Sequence, residues 1–297
     1  MRNESTSSNS DALGSAHLYR GQLPRYCNLE DFSWHSHAGR SNSSQVACIN
    51  AFGHTADLDG GVGNKVFGDF FSAAFPEMAT KARRRRWTVE LEYEDPSLLN
   101  EYGTRQPTSI DAFCTTSTDV VAVEAKFDRD AMDGFGCCSQ PKAKACAGHH
   151  GPGSDLRTGA NVDCRLEAWD RNRSPRLYWV LGKQYFQQSA LQPQEEGVSC
   201  PLSGPSYQLM RNFLFAASYA IRERKRNFGV AVVCPKRRRE TLSTQLEQFR
   251  DSILLPEYRD RIQLLTYDYL IDLLRNHLPK DERSLSDHLT SQLDQLD

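Results

Sequence analysis

The sequence predicts an α/β protein with a mixed central β-sheet flanked by helices. Two apolar runs of strand length, at 107–113 and 120–126, are separated by a short polar turn, which is typical of a hairpin or a close strand pair. A near-continuous apolar run at 227–235 is typical of a buried strand in an α/β sheet. Strand and helix patterns then alternate to the end of the domain, as a layered α/β core requires.

Before the hairpin, residues 46–52 form a short apolar run that predicts a helix packed on the core. The phenylalanines of 64–80 recur at helical spacing, and residues 87–93 alternate at period two, which predicts the first strand of the sheet. The polar face of this strand carries Glu90 and Glu92, which either face solvent or, in the case of Glu90, supply an extra metal ligand.

After the hairpin, the apolar periodicity predicts a helix from 177, a strong amphipathic helix from 207, and a helix–strand–helix series that follows the buried strand. The segments of that series are 241–253, 262–267 and 270–278.

The sequence predicts a single domain at 17–280 that includes a Cys/Gly-rich insertion at 128–200, with a disordered tail at 1–16 and a polar tail at 281–297. The chain of 297 residues has a net charge of −2, which argues against a uniformly basic nucleic-acid binder. It has no apolar stretch long enough to span a bilayer and no signal-peptide pattern at its start, so we expect a soluble, cytoplasmic protein.

Three charged residues lie within the two hairpin runs: Asp111 in the first, and Glu124 and Lys126 on one face of the second. Charges in such runs are costly unless they pair or bind a metal. The two carboxylates and the carbonyl oxygen of Ala125 are suitable ligands for Mg²⁺, and Lys126 could orient or help to deprotonate a metal-bound water. This pattern predicts metal-assisted phosphodiester hydrolysis; the alternative is a buried ion pair that only stabilises the sheet. Glu101 is a further candidate acid.

The arrangement Pro107-(x)3-Asp111-(x)12-Glu124-Ala125-Lys126 resembles the signature of the PD-(D/E)XK nucleases, the restriction-endonuclease-like superfamily. The proline lies four positions before Asp111 instead of beside it, a position that varies within the superfamily. The resemblance implies a restriction-endonuclease-like fold, DNA cleavage with Mg²⁺ or Mn²⁺, metal ligation by Asp111 and Glu124, and an active-site role for Lys126.

On the helix from 207, Gln208 and Arg211 share a face. A glutamine on the helix after the Glu-x-Lys strand resembles the glutamine motif of RecB-like nucleases. That resemblance implies that Gln208 helps to position DNA and the lysine, with Arg211 as a DNA contact; the alternative is a polar helix end.

Two basic clusters are candidate phosphate contacts, because guanidinium groups match phosphate geometry. The first is Arg83, Arg84, Arg85 and Arg86, and the second begins with Lys236 and Arg237. A solvated basic turn is the alternative at each.

The chain has nine cysteines, and several of them fall in or beside the insertion. Thiolates in an irregular stretch suit a structural Zn²⁺ site or, as a second choice, an iron–sulfur cluster. The candidate ligands are Cys138, Cys146, Cys164 and Cys200, with Cys137 as an alternative to Cys138, although their spacing is not the paired C-x2-C pattern. Unrelated reduced thiols are the alternative.

Together these observations predict a Mg²⁺-dependent DNA endonuclease of restriction type. A RecB-like exonuclease or repair nuclease and a catalytically inactive, DNA-binding zinc protein are the alternatives. DNA is the expected partner and no membrane is expected. Because cutting both strands commonly recruits two active sites, a homodimer is left open.

Overall fold

A five-stranded mixed β-sheet lies at the centre of the computed structural model, which describes residues 16–27, 34–35, 38–78, 86–102, 107–127, 135, 176–191, 202 and 204–296. Its strands are β1 (Thr88–Glu94), β2 (Ser109–Thr115), β3 (Asp119–Ala125), β4 (Asn227–Cys234) and β5 (Ile262–Thr266), in spatial order β1-β2-β3-β4-β5. The first three strands pair antiparallel, whereas β3, β4 and β5 pair parallel. The predicted mixed sheet is therefore confirmed.

Helices cover both faces of the sheet. Their bounds are α1 (Ser44–Cys48), α2 (His54–Ala56), α3 (Val62–Ala74), α4 (Tyr178–Gly182), α5 (Gln188–Leu191), α6 (Ser206–Arg222), α7 (Arg239–Ser252), α8 (Tyr267–His277) and α9 (Ser284–Asp294). A π-helical turn, Ile49–Gly53, joins α1 to α2. The core on one face contains residues of α4, α6 and α7, and the core on the other contains residues of α1, α3, α8 and α9.

The two faces of β3 show how the sequence positions this core. Val120 and Ala122 belong to the face covered by α6, whereas Val121 and Val123 belong to the face covered by α3 and α8. Every residue of β3 is buried, as expected for a strand with a neighbour on each side and a helix on each face. The next position on the α6 face is Glu124, so the fold brings this carboxylate to the buried surface of α6.

The polar tail predicted for 281–297 is wrong for the residues that the structure describes there. Ser284–Asp294 form helix α9, and Leu285, Leu289 and Leu296 are buried against the α3–α8 side of the core. The buried side chain of Asn50 donates to Gln292 Oε1 at 3.0 Å, which ties α9 to the π-helical turn. Residues 1–15 of the tail predicted at 1–16, and most of the insertion predicted at 128–200, lie outside the described residues.

Within the described part of the chain, no helix has both the length and the hydrophobicity needed to cross a membrane.

Candidate active site

The β2–β3 ladder ends beside Asp111. Regular pairing runs from Thr115↔Val120 to Ala112↔Val123, and beyond that point the backbone N–H of Ala125 donates to Asp111 Oδ2 at 2.7 Å. The Asp111 side chain thus replaces a backbone acceptor where the two strands separate. This contact places Asp111 next to the end of β3 that carries the Glu-x-Lys pair.

Glu124 is almost fully buried, and two carboxamides of α6 bind its side chain. Gln208 Nε2 donates to Glu124 Oε1 at 2.7 Å, and Asn212 Nδ2 donates to Glu124 Oε2 at 2.6 Å. The two amides lie four residues apart, one turn along the same helix face. Gln208 was predicted from the sequence, whereas Asn212 was not.

Lys126 lies one residue beyond β3, yet the sheet still holds its backbone, because its N–H donates to the carbonyl oxygen of Val233 at 2.8 Å. Its Nζ atom lies 2.9 Å from Glu124 Oε1 and donates to Gln208 Oε1 at 3.0 Å. The Phe135 ring centroid is 5.4 Å from this ammonium group. The structure therefore brings Glu124, Lys126 and Gln208 into one hydrogen-bonded set with Asp111 beside it.

Negative charge dominates this set. Burial raises the pKa of Asp111 well above its ordinary value, and the neighbouring carboxylates of Glu124 and Glu92 raise it further. The Ala125 N–H and Lys126 oppose that shift. Carboxylates that repel one another at a partly buried site gain from a bound cation, and hard oxygen donors are the ligands that Mg²⁺ prefers. The residues present therefore fit a divalent metal ion.

Glu92 joins the site through an interruption of β1. Its φ angle of +50° lies in the left-handed region, and its neighbours Leu91 and Tyr93 pack on opposite faces of the sheet. Gln45 Nε2 donates to Glu92 Oε1 at 3.0 Å, and Ser109 Oγ donates to Oε2 at 3.3 Å. The expectation that Glu92 faces solvent is wrong, because its side chain is only 13% exposed.

The imidazole of His35 extends the Glu92 contacts. His35 Nε2 lies 3.3 Å from Glu92 Oε2, and the hydrogen bond to Glu92 raises the pKa of His35. Gln45 connects the two residues, since its Oε1 accepts the His35 backbone N–H at 2.9 Å. Glu90, the predicted accessory ligand, is exposed, although partial desolvation of its carboxyl group raises its pKa.

Arg211 makes contacts within the protein. Its Nη2 lies 3.4 Å from Glu101 Oε1, and its Nε donates to Thr108 Oγ1 at 2.9 Å. Glu101 is buried and also accepts hydrogen bonds from the Thr108 backbone and the Tyr178 hydroxyl. Glu101, a candidate acid in the sequence, therefore anchors α6 to the segment that enters β2. A DNA contact by Arg211 stays a prediction.

The basic clusters are only partly described. Arg83, Arg84 and Arg85 lie outside the described residues, while Arg86 is exposed just before β1. Lys236 and Arg237 are exposed in the turn after β4, at the sheet edge that also carries Lys126. They line a groove of about 1130 Å³ between α7, α8 and α9, which also contains acidic side chains such as Glu240 and Asp272. Phosphate contacts by these residues stay predictions.

The four proposed cysteine ligands, Cys138, Cys146, Cys164 and Cys200, all lie outside the described residues, so the predicted zinc or iron–sulfur site is untested. Within the residues that the structure describes, no group of three or more His, Cys, Asp or Glu side chains could hold a metal ion. A metal at the site described above would therefore need backbone, water or substrate oxygens in addition to Asp111 and Glu124.

Comparison with models of protein families finds a match over nearly the whole chain. Residues 10–294 match the model of a family described as "Restriction Endonuclease associating with ARP". No curated protein and no solved structure matches the chain.

Proposed function

Because the chain belongs to the restriction endonuclease family whose model covers residues 10–294, we propose that it is a Mg²⁺-dependent endonuclease that cleaves DNA phosphodiester bonds. The observation that carries the proposal is a set of contacts at the β2–β3 fork, the place beside Asp111 where these two strands separate. There Asp111, Glu124, Lys126 and Gln208 meet at the end of the central strands.

In this proposal Asp111, Glu124 and the carbonyl oxygen of Ala125 hold the metal ion. Bound Mg²⁺, or Mn²⁺ in its place, would polarise the scissile phosphate and lower the pKa of a coordinated water. Glu124 is held in place by α6, and Asp111 is held by its bond to the Ala125 amide, so little side-chain entropy is lost when the cation binds. The excess negative charge of the site favours the cation before DNA arrives.

Lys126 would act on the attacking water or the phosphate oxygens. Its ammonium group is held between Glu124 and Gln208 at the mouth of the fork, so its three N–H donors are directed by two fixed acceptors. Gln208 would keep Nζ aligned because its amide contacts both the lysine and Glu124. The proposed catalytic residues are thus Asp111, Glu124, Lys126 and Gln208.

DNA would lie across the sheet edge that carries Lys126. We assign phosphate contacts to Lys236 and Arg237, which follow β4 at that edge, and to the cluster that ends at Arg86. In this proposal Arg211 acts mainly by anchoring α6 through Glu101.

Incubation of supercoiled plasmid with the purified protein, with and without Mg²⁺, tests the proposal. We expect cleavage that requires the cation and that is lost in Asp111→Asn and in Lys126→Ala. Lys65→Ala, which removes an exposed lysine of α3, is the matched control and should cleave like the wild type. Mg²⁺-dependent cleavage that persists in both site variants would place the chemistry elsewhere.

A RecB-like exonuclease or repair nuclease is a second candidate function, because Gln208 contacts both Glu124 and Lys126 as a positioning glutamine would. Closed-circular DNA and linear DNA of the same sequence separate the two modes. An endonuclease cuts both substrates, whereas an exonuclease degrades only the linear one. DNA binding without any cleavage by the wild type would favour the inactive zinc protein.

Three further expectations belong to this proposal: a structural Zn²⁺ or iron–sulfur site at the insertion cysteines, a cytoplasmic location and a homodimer that cuts both strands. Elemental analysis and the visible absorbance spectrum of the purified protein test the first. Sedimentation with and without DNA tests the last.

A further inference from the structure

Asn212 is the buried partner of Glu124 that the catalytic scheme does not use. Its side chain is 2% exposed and donates to Glu124 Oε2 at 2.6 Å. Its sequence neighbours Met210, Phe213 and Leu214 are buried as well, and an amide in such a buried part of a helix is costly unless it is hydrogen-bonded. An asparagine in the middle of a buried helix also has a lower helix propensity than an apolar residue. The contact with Glu124 is what compensates for both costs.

The two oxygens of Glu124 are not equivalent. A carboxylate oxygen can accept about two hydrogen bonds. Oε1 has donors at both positions, Gln208 Nε2 at 2.7 Å and Lys126 Nζ at 2.9 Å. Among the described residues, Oε2 has only Asn212 as a donor. One acceptor position of Glu124 is therefore left, and it lies on Oε2.

We propose that Asn212 is a positioning residue that fixes the Glu124 carboxylate so that Oε2 is the oxygen presented to the divalent cation. This inference rests on the proposed metal-dependent function and adds which oxygen of Glu124 binds and which residue selects it. Glu124 is then a ligand through one oxygen, while Oε1 stays bonded to Lys126 and Gln208.

The chemistry of the amide suits this task. A carboxamide N–H orients a carboxylate without neutralising it, so Glu124 keeps the charge that attracts the cation. A cationic side chain at the same position would compete with the metal ion for Oε2. Without any donor there, the carboxylate can rotate about its last torsion angle, which is broad and roughly two-fold for glutamate.

The chain contains a matched control for this contact. Asn227 is also buried, and its Nδ2 donates to Asp119 Oδ1 at 2.7 Å. Asp119 is the first residue of β3, at the opposite end of the strand from Glu124. Replacing Asn227 therefore removes the same kind of buried amide–carboxylate bond at a distance from the proposed metal site.

The test is binding of Mn²⁺ to the full chain without DNA, measured by electron paramagnetic resonance titration of free Mn²⁺. Asn212→Ala should weaken Mn²⁺ binding by roughly 10- to 100-fold, the usual effect of removing a group that orients a metal ligand. Asn227→Ala should bind Mn²⁺ like the wild type even if it is equally destabilised. Asn212→Leu fills the same space without a donor and should match Asn212→Ala, so it carries the test if the alanine variant does not fold.

The possible outcomes distinguish a failure of the Asn212 role from a failure of the proposed metal site. If Asn212→Ala or Asn212→Leu binds Mn²⁺ like the wild type, while Asp111→Asn has lost binding, the role of Asn212 is refuted and the proposed metal site stands. Equal losses in the Asn212 and Asn227 variants would also overturn it, since the effect would then be one of stability alone. A wild type that binds no Mn²⁺ overturns both the positioning role and the proposed metal dependence.

Discussion

Replacing Asp111 with asparagine should make the protein more stable at pH 7 while abolishing cleavage. The carboxyl group lies in a partly buried fork beside Glu124 and Glu92, which raises its pKa well above the ordinary value of 3.8. A raised pKa means that the folded protein disfavours the ionised form. Asparagine has nearly the same shape and keeps an oxygen that can accept the Ala125 N–H, so the variant removes the charge and little else.

The expected gain follows from the charges involved. Two like charges on the order of 6 Å apart repel by about 3 kcal/mol at an effective dielectric constant of about 20. Lys126 offsets part of this, and the bond from the Ala125 amide weakens by about 1 kcal/mol when its acceptor becomes neutral. The net gain should therefore be roughly 1–2 kcal/mol in the free energy of unfolding.

The raised pKa of Asp111 also determines how the stability gain of Asp111→Asn depends on pH. Because the pKa of Asp111 is raised in the folded state, its ionisation costs stability at pH values above about 3.8, and the full cost applies above the raised value. The advantage of Asp111→Asn should therefore be largest at neutral pH and shrink as the pH falls towards 3.8. Urea unfolding of both proteins from pH 4 to pH 8, without divalent cations, measures this difference.

Asp119→Asn is the matched control, because Asp119 is a buried aspartate that is fully bonded. Its carboxylate accepts hydrogen bonds from Thr116 and Thr118 at 3.1 Å and from Asn227 at 2.7 Å. Loss of these charge-assisted bonds should destabilise the protein, the opposite of the Asp111 variant. A less stable Asp111→Asn at pH 7, or an advantage that does not shrink on acidification, would refute the electrostatic reasoning.

Three other changes should have measurable effects. Glu92→Gln removes the partner that raises the pKa of His35, so an NMR titration should show a lower pKa for this histidine. In the wild type, the contribution of His35 to stability is present below about pH 6.5 and is lost as the pH rises through the raised pKa. An unchanged titration would count against the contact. Gly229→Ala should destabilise the protein by about 1–3 kcal/mol in urea unfolding, because the new Cβ would lie 2.7 Å from a ring carbon of Phe75; equal stability would mean that this ring moves freely. Glu101→Gln should cost about 3 kcal/mol in the same assay, since it removes the buried carboxylate of the ion pair with Arg211, and a neutral effect would show that the pair is replaceable.

The hairpin and its charged residues could be predicted because strand alternation constrains them strongly. Glu124 and Lys126 are two residues apart, so a pleated strand puts both on one face, and the short turn forces the first run to pair with the second. The helix that carries Gln208 could be predicted because its apolar residues recur at helical spacing. The parallel strands β4 and β5 followed from continuous apolar runs separated by amphipathic helices.

Asn212 was missed although a signal was present. The helix pattern from 207 is apolar on one broad face, and an asparagine one turn after Gln208 interrupts that face. A polar residue inside an apolar stripe needs a buried hydrogen-bond partner. The identity of that partner still required the packing of α6 on β3.

Glu92 could not have been found from the pattern. Residues 87–93 alternate as a regular strand, and regular alternation predicts an outward-facing carboxylate. The left-handed backbone at Glu92 changes the side chain's direction, and nothing in the local sequence requires it because the residue is not glycine. Hydrogen bonds from Gln45 and Ser109, which are distant in sequence, hold the Glu92 side chain in this position.

Helix α9 was missed for a different reason. The polar composition of 281–297 suggested a tail, but Leu285 and Leu289 recur one turn apart, and both are buried in the structure. A short helix with a narrow apolar stripe has little stability alone. This helix forms because its apolar stripe packs against α8 and the π-helical turn.

The hydrogen bond from the Lys126 backbone N–H to the carbonyl oxygen of Val233 ties this residue to the central sheet. Its amide proton continues the β3–β4 ladder, and the amide of Ala125 before it is held by Asp111. In native-state deuterium exchange, both amides should therefore belong to the slowest-exchanging unit of the protein, which opens only when the whole domain unfolds. Motions that admit or release a substrate would then have to arise in the surrounding loops and helices, while strand β3 keeps its position.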